Sequence, residues 1–146
     1  MRSVLCLAAI VCVLALPAFA QTACTPQMTR GLYSVACSGY VSPGPDAPLV
    51  PIRALGTVRA DFSGSVFTGT ATFSLGGTMV EQEVTGTQVL KEDCTGTIKY
   101  SVKNNGQSAP DINVRFNVLN GGNKIRGMVT DPGTVMSCTL DRMSMN

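Results

Sequence analysis

Glycine and proline punctuate this chain so often that helices of ordinary length have no room to form. Of its 15 Gly and 8 Pro, all but Pro17 lie beyond residue 20, and between there and the last 13 residues no stretch free of both exceeds ten residues. An interior Gly costs a helix about 1 kcal/mol relative to Ala and a Pro about 3 kcal/mol, so the chain must be built from strands and turns. The residues between the breaks agree: after residue 20 there are 15 Thr, 13 Val and 4 Ile against 7 Leu and 7 Ala. Beta-branched side chains of this kind suit a pleated, half-buried surface.

Alternation with period two then places the strands. In 111–120, Ile112, Val114, Phe116 and Val118 alternate with Asn113, Arg115 and Asn117. In 51–62 the apolar set is Ile52, Ala54, Gly56, Val58, Ala60 and Phe62, against Arg53, Thr57, Arg59 and Asp61. In 65–75 it is Phe67, Gly69, Ala71, Phe73 and Leu75, and in 95–103 it is Gly96, Ile98, Tyr100 and Val102. Weaker alternation marks 31–41, 78–90, 124–130 and 134–142, for eight strands in all. Their connectors are short and rich in Gly, Asn and Asp, except for a longer Pro-rich loop at 42–51.

Eight consecutive strands joined by tight turns form an antiparallel meander, and closing it into a barrel removes the bare edges. The expected fold is therefore all-β, an eight-stranded up-and-down barrel of calycin-like outline, with a β-sandwich as the alternative. Gly39, Gly56, Gly69, Gly86, Gly96 and Gly127 fall on the inward parity of six strands, where a small barrel needs sharp coiling.

The cysteines speak to compartment and closure together. Arg2, the apolar run from Val4 to Leu16 and the small-residue end Ala18-Phe19-Ala20 read as a signal peptide over 1–20, cleaved after Ala20 to leave one barrel domain over 21–146. The expected location is secreted or periplasmic. An uncleaved anchor is disfavoured because the apolar stretch is short, and a lipoprotein is disfavoured because Gln21-Thr22-Ala23 before Cys24 is a poor lipobox. Cys6 and Cys12 leave with the signal, and Cys24, Cys37, Cys94 and Cys138 form an even set in an oxidising compartment. Closure makes the first and last strands neighbours, so Cys37 is expected to pair with Cys138. Cys24 and Cys94 then fall at one end of the barrel and are expected to pair with each other.

Charge and residue usage restrict the chemistry. After residue 20, ten basic residues oppose nine acidic ones, and there is no His anywhere. A near-neutral chain offers no electrostatic footprint for nucleic acid, and the commonest general base and metal ligand is missing. No Ser lies in a G-x-S-x-G elbow, no C-x-x-C is present, and Glu81, Glu83, Glu92 and Asp93 fall on an outer face or in a turn. No catalytic residue, metal or cofactor is assigned.

The segments Asp61-Phe62-Ser63-Gly64-Ser65-Val66-Phe67-Thr68-Gly69, Gly76-Gly77, Val84-Thr85-Gly86-Thr87 and Asp93-Cys94-Thr95-Gly96-Thr97 resemble those of a group of small, uncharacterised secreted bacterial proteins. In that group a V-x-G-T-Y strand runs into a D-C-T-G-T turn; here Gln88 stands in place of the Tyr. The group is similar to calycins in outline, and Gly31-Leu32-Tyr33 resembles the G-x-W start of lipocalins with Tyr for Trp. The resemblance implies a fold and carries no activity.

Function is then expected in the barrel interior or the Pro-rich loop. Parity sends Gln82 and Gln88 inward among Val35, Ile52, Val58, Phe73, Ile98, Val114 and Phe116, and a buried amide needs a partner from Tyr33, Tyr100, water or a ligand. Apolar walls with a few polar groups make a small-molecule pocket. The candidate ligand-binding residues are Tyr33, Gln82, Gln88, Tyr100 and Phe116, the candidate ligand is a small apolar or amphipathic molecule, and an empty cavity of a few hundred Å³ with Gln82 or Gln88 on its wall would favour binding over a filled core. The competing expectations are a filled-core structural or protein-interaction module of the cell envelope, and a His-independent barrel isomerase or cyclase.

Overall fold

Period-two alternation becomes a closed ring of strands in the computed structural model, which describes residues 23–44, 46–104 and 106–145. The signal peptide expected over 1–20, with Cys6 and Cys12, lies outside the described residues. The strands are β1 (Gly31–Val41), β2 (Val50–Ala60), β3 (Val66–Leu75), β4 (Thr78–Leu90), β5 (Thr95–Asn104), β6 (Gln107–Ser108), β7 (Ile112–Leu119), β8 (Lys124–Val129) and β9 (Thr134–Ser144). Eight are long and pair antiparallel with their neighbours in sequence. β6 is a two-residue strand folded back on the end of β5, too short to have left a periodic signal.

Closure rests on the β1–β9 seam, which runs from Leu32 opposite Ser144 to Val41 opposite Thr134, with an irregularity between Leu32 and Tyr33. β4 pairs with β5 from Glu83 opposite Lys103 to Leu90 opposite Gly96, which completes the ring. The fold is thus a closed eight-strand antiparallel barrel. One end, called the floor here, collects the β2–β3, β4–β5 and β7–β8 turns and both described chain ends. The β1–β2 loop and the β3–β4 and β8–β9 turns lie at the other, upper end.

The inward faces supply one core, in which Tyr33, Phe116 and Ile125 are almost wholly enclosed. Inward glycines let it close. A Cβ at Gly86 would meet the Phe67 ring and the Tyr100 side chain, and one at Gly96 would meet the Phe116 ring and the Val89 carbonyl. Each of these glycines makes room for an aromatic side chain from a neighbouring strand.

Two disulfides staple the ring. Cys37 and Cys138 are register partners across the seam and are bonded, 101 residues apart in sequence. Cys24 bonds Cys94, 70 residues away, and ties the segment before β1 to the β4–β5 turn. Cross-links closing loops of this length add about 2–4 kcal/mol each.

Several expected boundaries move for local reasons. β2 ends at Ala60, not at Phe62, because the Asp61 carboxylate caps a turn: it accepts from the Ser63 hydroxyl at 2.8 Å and from the backbone N–H of Ser65 at 3.1 Å. Phe62 therefore leaves the inward parity, stands 87% exposed and lies 6.0 Å beneath the Arg30 guanidinium. β7 stops at Leu119, where Asn120–Gly122 form a short 3-10 turn. β9 continues past Arg142 to Ser144.

Candidate functional site

The floor is closed by a short segment in front of β1. Pro26–Thr29 form a single 3-10 turn, suited by the fixed φ of Pro at its start. The Cys24–Cys94 bond and a hydrogen bond from the Cys24 N–H to the Glu92 carbonyl, 3.0 Å, hold it across the end of the barrel.

Beneath it, polar groups from distant parts of the chain satisfy one another. The Thr29 hydroxyl, fully buried, lies 2.7 Å from the Pro26 carbonyl and 3.1 Å from the Gly64 carbonyl, and can donate its one hydrogen to either. The Gln88 amide nitrogen donates to the Thr29 hydroxyl at 2.6 Å and to the Gly64 carbonyl. A carbonyl can only accept, so the contact with Gly64 fixes which end of the Gln88 amide is nitrogen. On the opposite side, the Tyr33 hydroxyl donates to the Gly122 carbonyl at 2.9 Å and accepts from Arg142 Nη2 at 2.8 Å. Arg142 also donates to the Met28 carbonyl and lies over the Tyr33 ring, 5.4 Å from its centre. Burial raises the Tyr33 pKa, and the hydrogen bond from Arg142 opposes that rise.

The D-C-T-G-T element is part of the same construction. The Asp93 carboxylate accepts from the Thr95 N–H at 2.9 Å and the Thr95 hydroxyl at 2.7 Å, which holds its pKa below the ordinary carboxylate value. Cys94 takes a positive φ of 66° in this turn, and its carbonyl accepts from the Val118 N–H at 2.8 Å. The motif therefore caps a turn, anchors a disulfide and, through Gly96, admits Phe116.

Above the floor lies an interior cavity of about 90 Å³. Its walls are apolar: Ala54, Ala71, Phe73, Val84, Ile98 and Val114 are among them, and the Cys37–Cys138 bond lies on one side. The volume is roughly six times what one water needs and well below the roughly 300–1,000 Å³ of a drug-sized pocket. The few hundred Å³ that would favour binding over a filled core is therefore not reached. Large inward side chains, above all Phe67, Phe73, Tyr100 and Phe116, occupy most of the barrel.

The five candidate ligand-binding residues are not all brought together. Tyr33, Gln88, Tyr100 and Phe116 line the cavity, and Gln82 does not. Gln82 is half-buried on β4 opposite Ala71, beyond the point where β4 and β5 pair. Ile52, expected on the wall, packs against the core outside the cavity lining. Of the four that line it, Tyr33 spends its hydroxyl on the floor and Phe116 offers only its ring.

Two polar atoms remain. Gln88 is 8% exposed, and its oxygen receives no hydrogen bond among the described residues. The Tyr100 hydroxyl has no hydrogen-bond partner among them either. No fully enclosed side-chain nitrogen or oxygen among the described residues lacks a partner, so both atoms border open space. Burial, reinforced by the negative charge of Asp131, pushes the Tyr100 pKa up to about 12, which keeps the hydroxyl protonated as a donor.

Sequence reasoning missed Arg142 and Thr29. Arg142 shares the inward parity of Cys138 and Leu140, and that was the available signal. Thr29 had none, since its partners are the Gln88 amide and backbone carbonyls.

The chain matches no family model and no curated protein. Among solved structures it is similar to a redesigned β-barrel, mFAP1, solved bound to DFHBI. The TM-score is 0.56 at 14% identity, over 81% of this chain and 98% of that one. At this identity the likeness concerns the fold.

Among the described residues no cluster of His, Cys, Asp or Glu could hold a metal ion, and no helix is long and apolar enough to cross a membrane.

Proposed function

We propose that this chain is a non-enzymatic, extracytoplasmic barrel that binds a small apolar or amphipathic molecule in its interior. The observation that carries the reading is the cavity of about 90 Å³ with apolar walls and two uncommitted polar atoms, Gln88 Oε1 and the Tyr100 hydroxyl. Apolar surface supplies affinity, and a few polar groups fix orientation. The similar barrel mFAP1 was solved with DFHBI bound, which supports a small-molecule role for the fold. The two disulfides and the signal-like sequence at 1–20 support an oxidising compartment. The D-C-T-G-T resemblance supports kinship with small secreted bacterial proteins.

The test is native mass spectrometry of the protein purified from its own host. The expected spectrum contains a non-covalent small-molecule adduct, lost in the cavity-filling variants Ala54→Leu and Ala71→Phe. An adduct-free wild-type protein whose stability rises on filling the cavity would overturn the reading.

A second reading, an interaction module of the cell envelope, is favoured by one observation. Tyr40, Val135 and Met128 stand 52%, 65% and 58% exposed on neighbouring strands around an outer groove. If a second copy covers them, sedimentation shows a dimer that Val135→Glu dissociates.

A further inference from the structure

Resting on the small-molecule reading above, we infer that the cavity selects an uncharged alcohol-like ligand. Its hydroxyl would donate to Gln88 Oε1 and accept from the Tyr100 hydroxyl, with its apolar body against Ala54, Ala71 and Val84.

Gln88 is more than nine-tenths buried, and both hydrogens of its amide are committed, one to Thr29 and one to the Gly64 carbonyl. What it presents to the cavity is a pure acceptor. Tyr100 presents a hydroxyl that has no hydrogen-bond partner among the described residues. The two residues sit on adjacent strands: Gln88 is opposite Ile98, and Tyr100 is opposite Gly86. They are therefore diagonal neighbours on the inner face, within reach of long side chains. Both side chains line the same cavity, Gln88 from the floor and Tyr100 from the wall, and the ligand hydroxyl is placed between them.

Size and charge narrow the class. The space admits roughly six water-sized groups, which suits a small ring or a short branched chain. A carboxylate would lose its hydration without a positive charge to meet and would lie in the field of Asp131, and an ammonium, which has donors only, could not accept from the Tyr100 hydroxyl. Arg142, at the floor beneath the cavity, is committed to Tyr33, Met28 and Asn123. A purely apolar molecule would leave Gln88 Oε1 and Tyr100 without partners once water is displaced, a cost that makes sites built for a hydroxyl reject its apolar analogue.

The experiment titrates isotope-labelled protein with cyclopentanol, methylcyclopentane and cyclopentanecarboxylate, following the Val84 and Val114 methyl resonances and the Gln88 side-chain amide by NMR. Cyclopentanol is expected to shift the interior methyls and the Gln88 amide, and the carboxylate to shift neither. In Tyr100→Phe, which keeps the ring, the preference for cyclopentanol over methylcyclopentane is expected to fall about fivefold, the worth of one neutral hydrogen bond. An unchanged preference in Tyr100→Phe, or entry of methylcyclopentane alone, overturns this inference and leaves the small-molecule reading standing. If no probe moves an interior resonance, the small-molecule reading fails with it.

Discussion

The Arg142 guanidinium, on the last strand, lies 5.4 Å over the ring of Tyr33, on the first, and reaches its hydroxyl at 2.8 Å. The same guanidinium donates to the Met28 carbonyl in the segment that covers the floor. One side chain thus connects the two strands of the closing seam to the cover beneath them.

Removing it should weaken seam and floor together. Arg142→Ala is expected to cost about 1–3 kcal/mol, because it strips donors from a buried hydroxyl and a carbonyl. Arg142→Lys should recover only part, since a point ammonium cannot serve several acceptors in a planar fork. Urea denaturation of the three proteins measures both effects, and wild-type stability in Arg142→Ala would show that the contacts carry no net energy.

The two disulfides should separate in their consequences. Replacing Cys37 and Cys138 by Ala is expected to cost about 2–4 kcal/mol while leaving the floor covered. Replacing Cys24 and Cys94 should cost a comparable amount and also expose the floor, seen as faster hydrogen exchange at the Gln88 side chain and the Tyr33 region. Peptide mapping under non-reducing conditions should recover Cys37 joined to Cys138 and Cys24 to Cys94; a Cys24–Cys37 peptide would contradict the topology.

Gly96 tests how closely the strands must approach. A Cβ there meets the Phe116 ring and the Val89 carbonyl, so Gly96→Val is expected to destabilise by about 1–3 kcal/mol through overpacking. Gly96→Val combined with Phe116→Leu should relieve the side-chain part of the clash and leave the backbone part, which a double-mutant cycle resolves.

Tyr100 predicts a loss of stability in alkali. Its folded pKa of about 12 lies above the value near 10 of a free tyrosine. The unfolded chain therefore releases this proton first, and stability falls as pH rises from about 10 toward 12. The full difference is about 2–3 kcal/mol at about 1.4 kcal/mol per unit. Tyr100→Phe should remove this part of the alkaline slope, measured by chemical denaturation at pH 9 and pH 11.

Much of the fold was legible because strand alternation, turn residues and glycine placement all reported the same periodicity. The pairing of Cys37 with Cys138 followed from parity and closure alone. The floor was not legible, because its contacts join groups far apart in the chain: Tyr33 meets the Gly122 carbonyl across 89 residues and Gln88 meets Thr29 across 59. Backbone carbonyls have no sequence signature, so Gln88 showed itself as inward but not as half-committed. Gln82 misled for the opposite reason. Its parity is inward, yet it lies where β4 runs past its pairing with β5, outside the cavity that parity implied. Cavity size was hidden as well, since it depends on how Phe67, Phe73, Tyr100 and Phe116 share the interior.

The most direct test of the central claim is the crystal structure of the mature chain under xenon pressure. Xenon under pressure enters small spaces with apolar walls, and the predicted result is a xenon atom inside the barrel among Ala54, Ala71 and Phe73, away from the polar atoms of Gln88 and Tyr100. An interior without xenon and filled by side chains would contradict it.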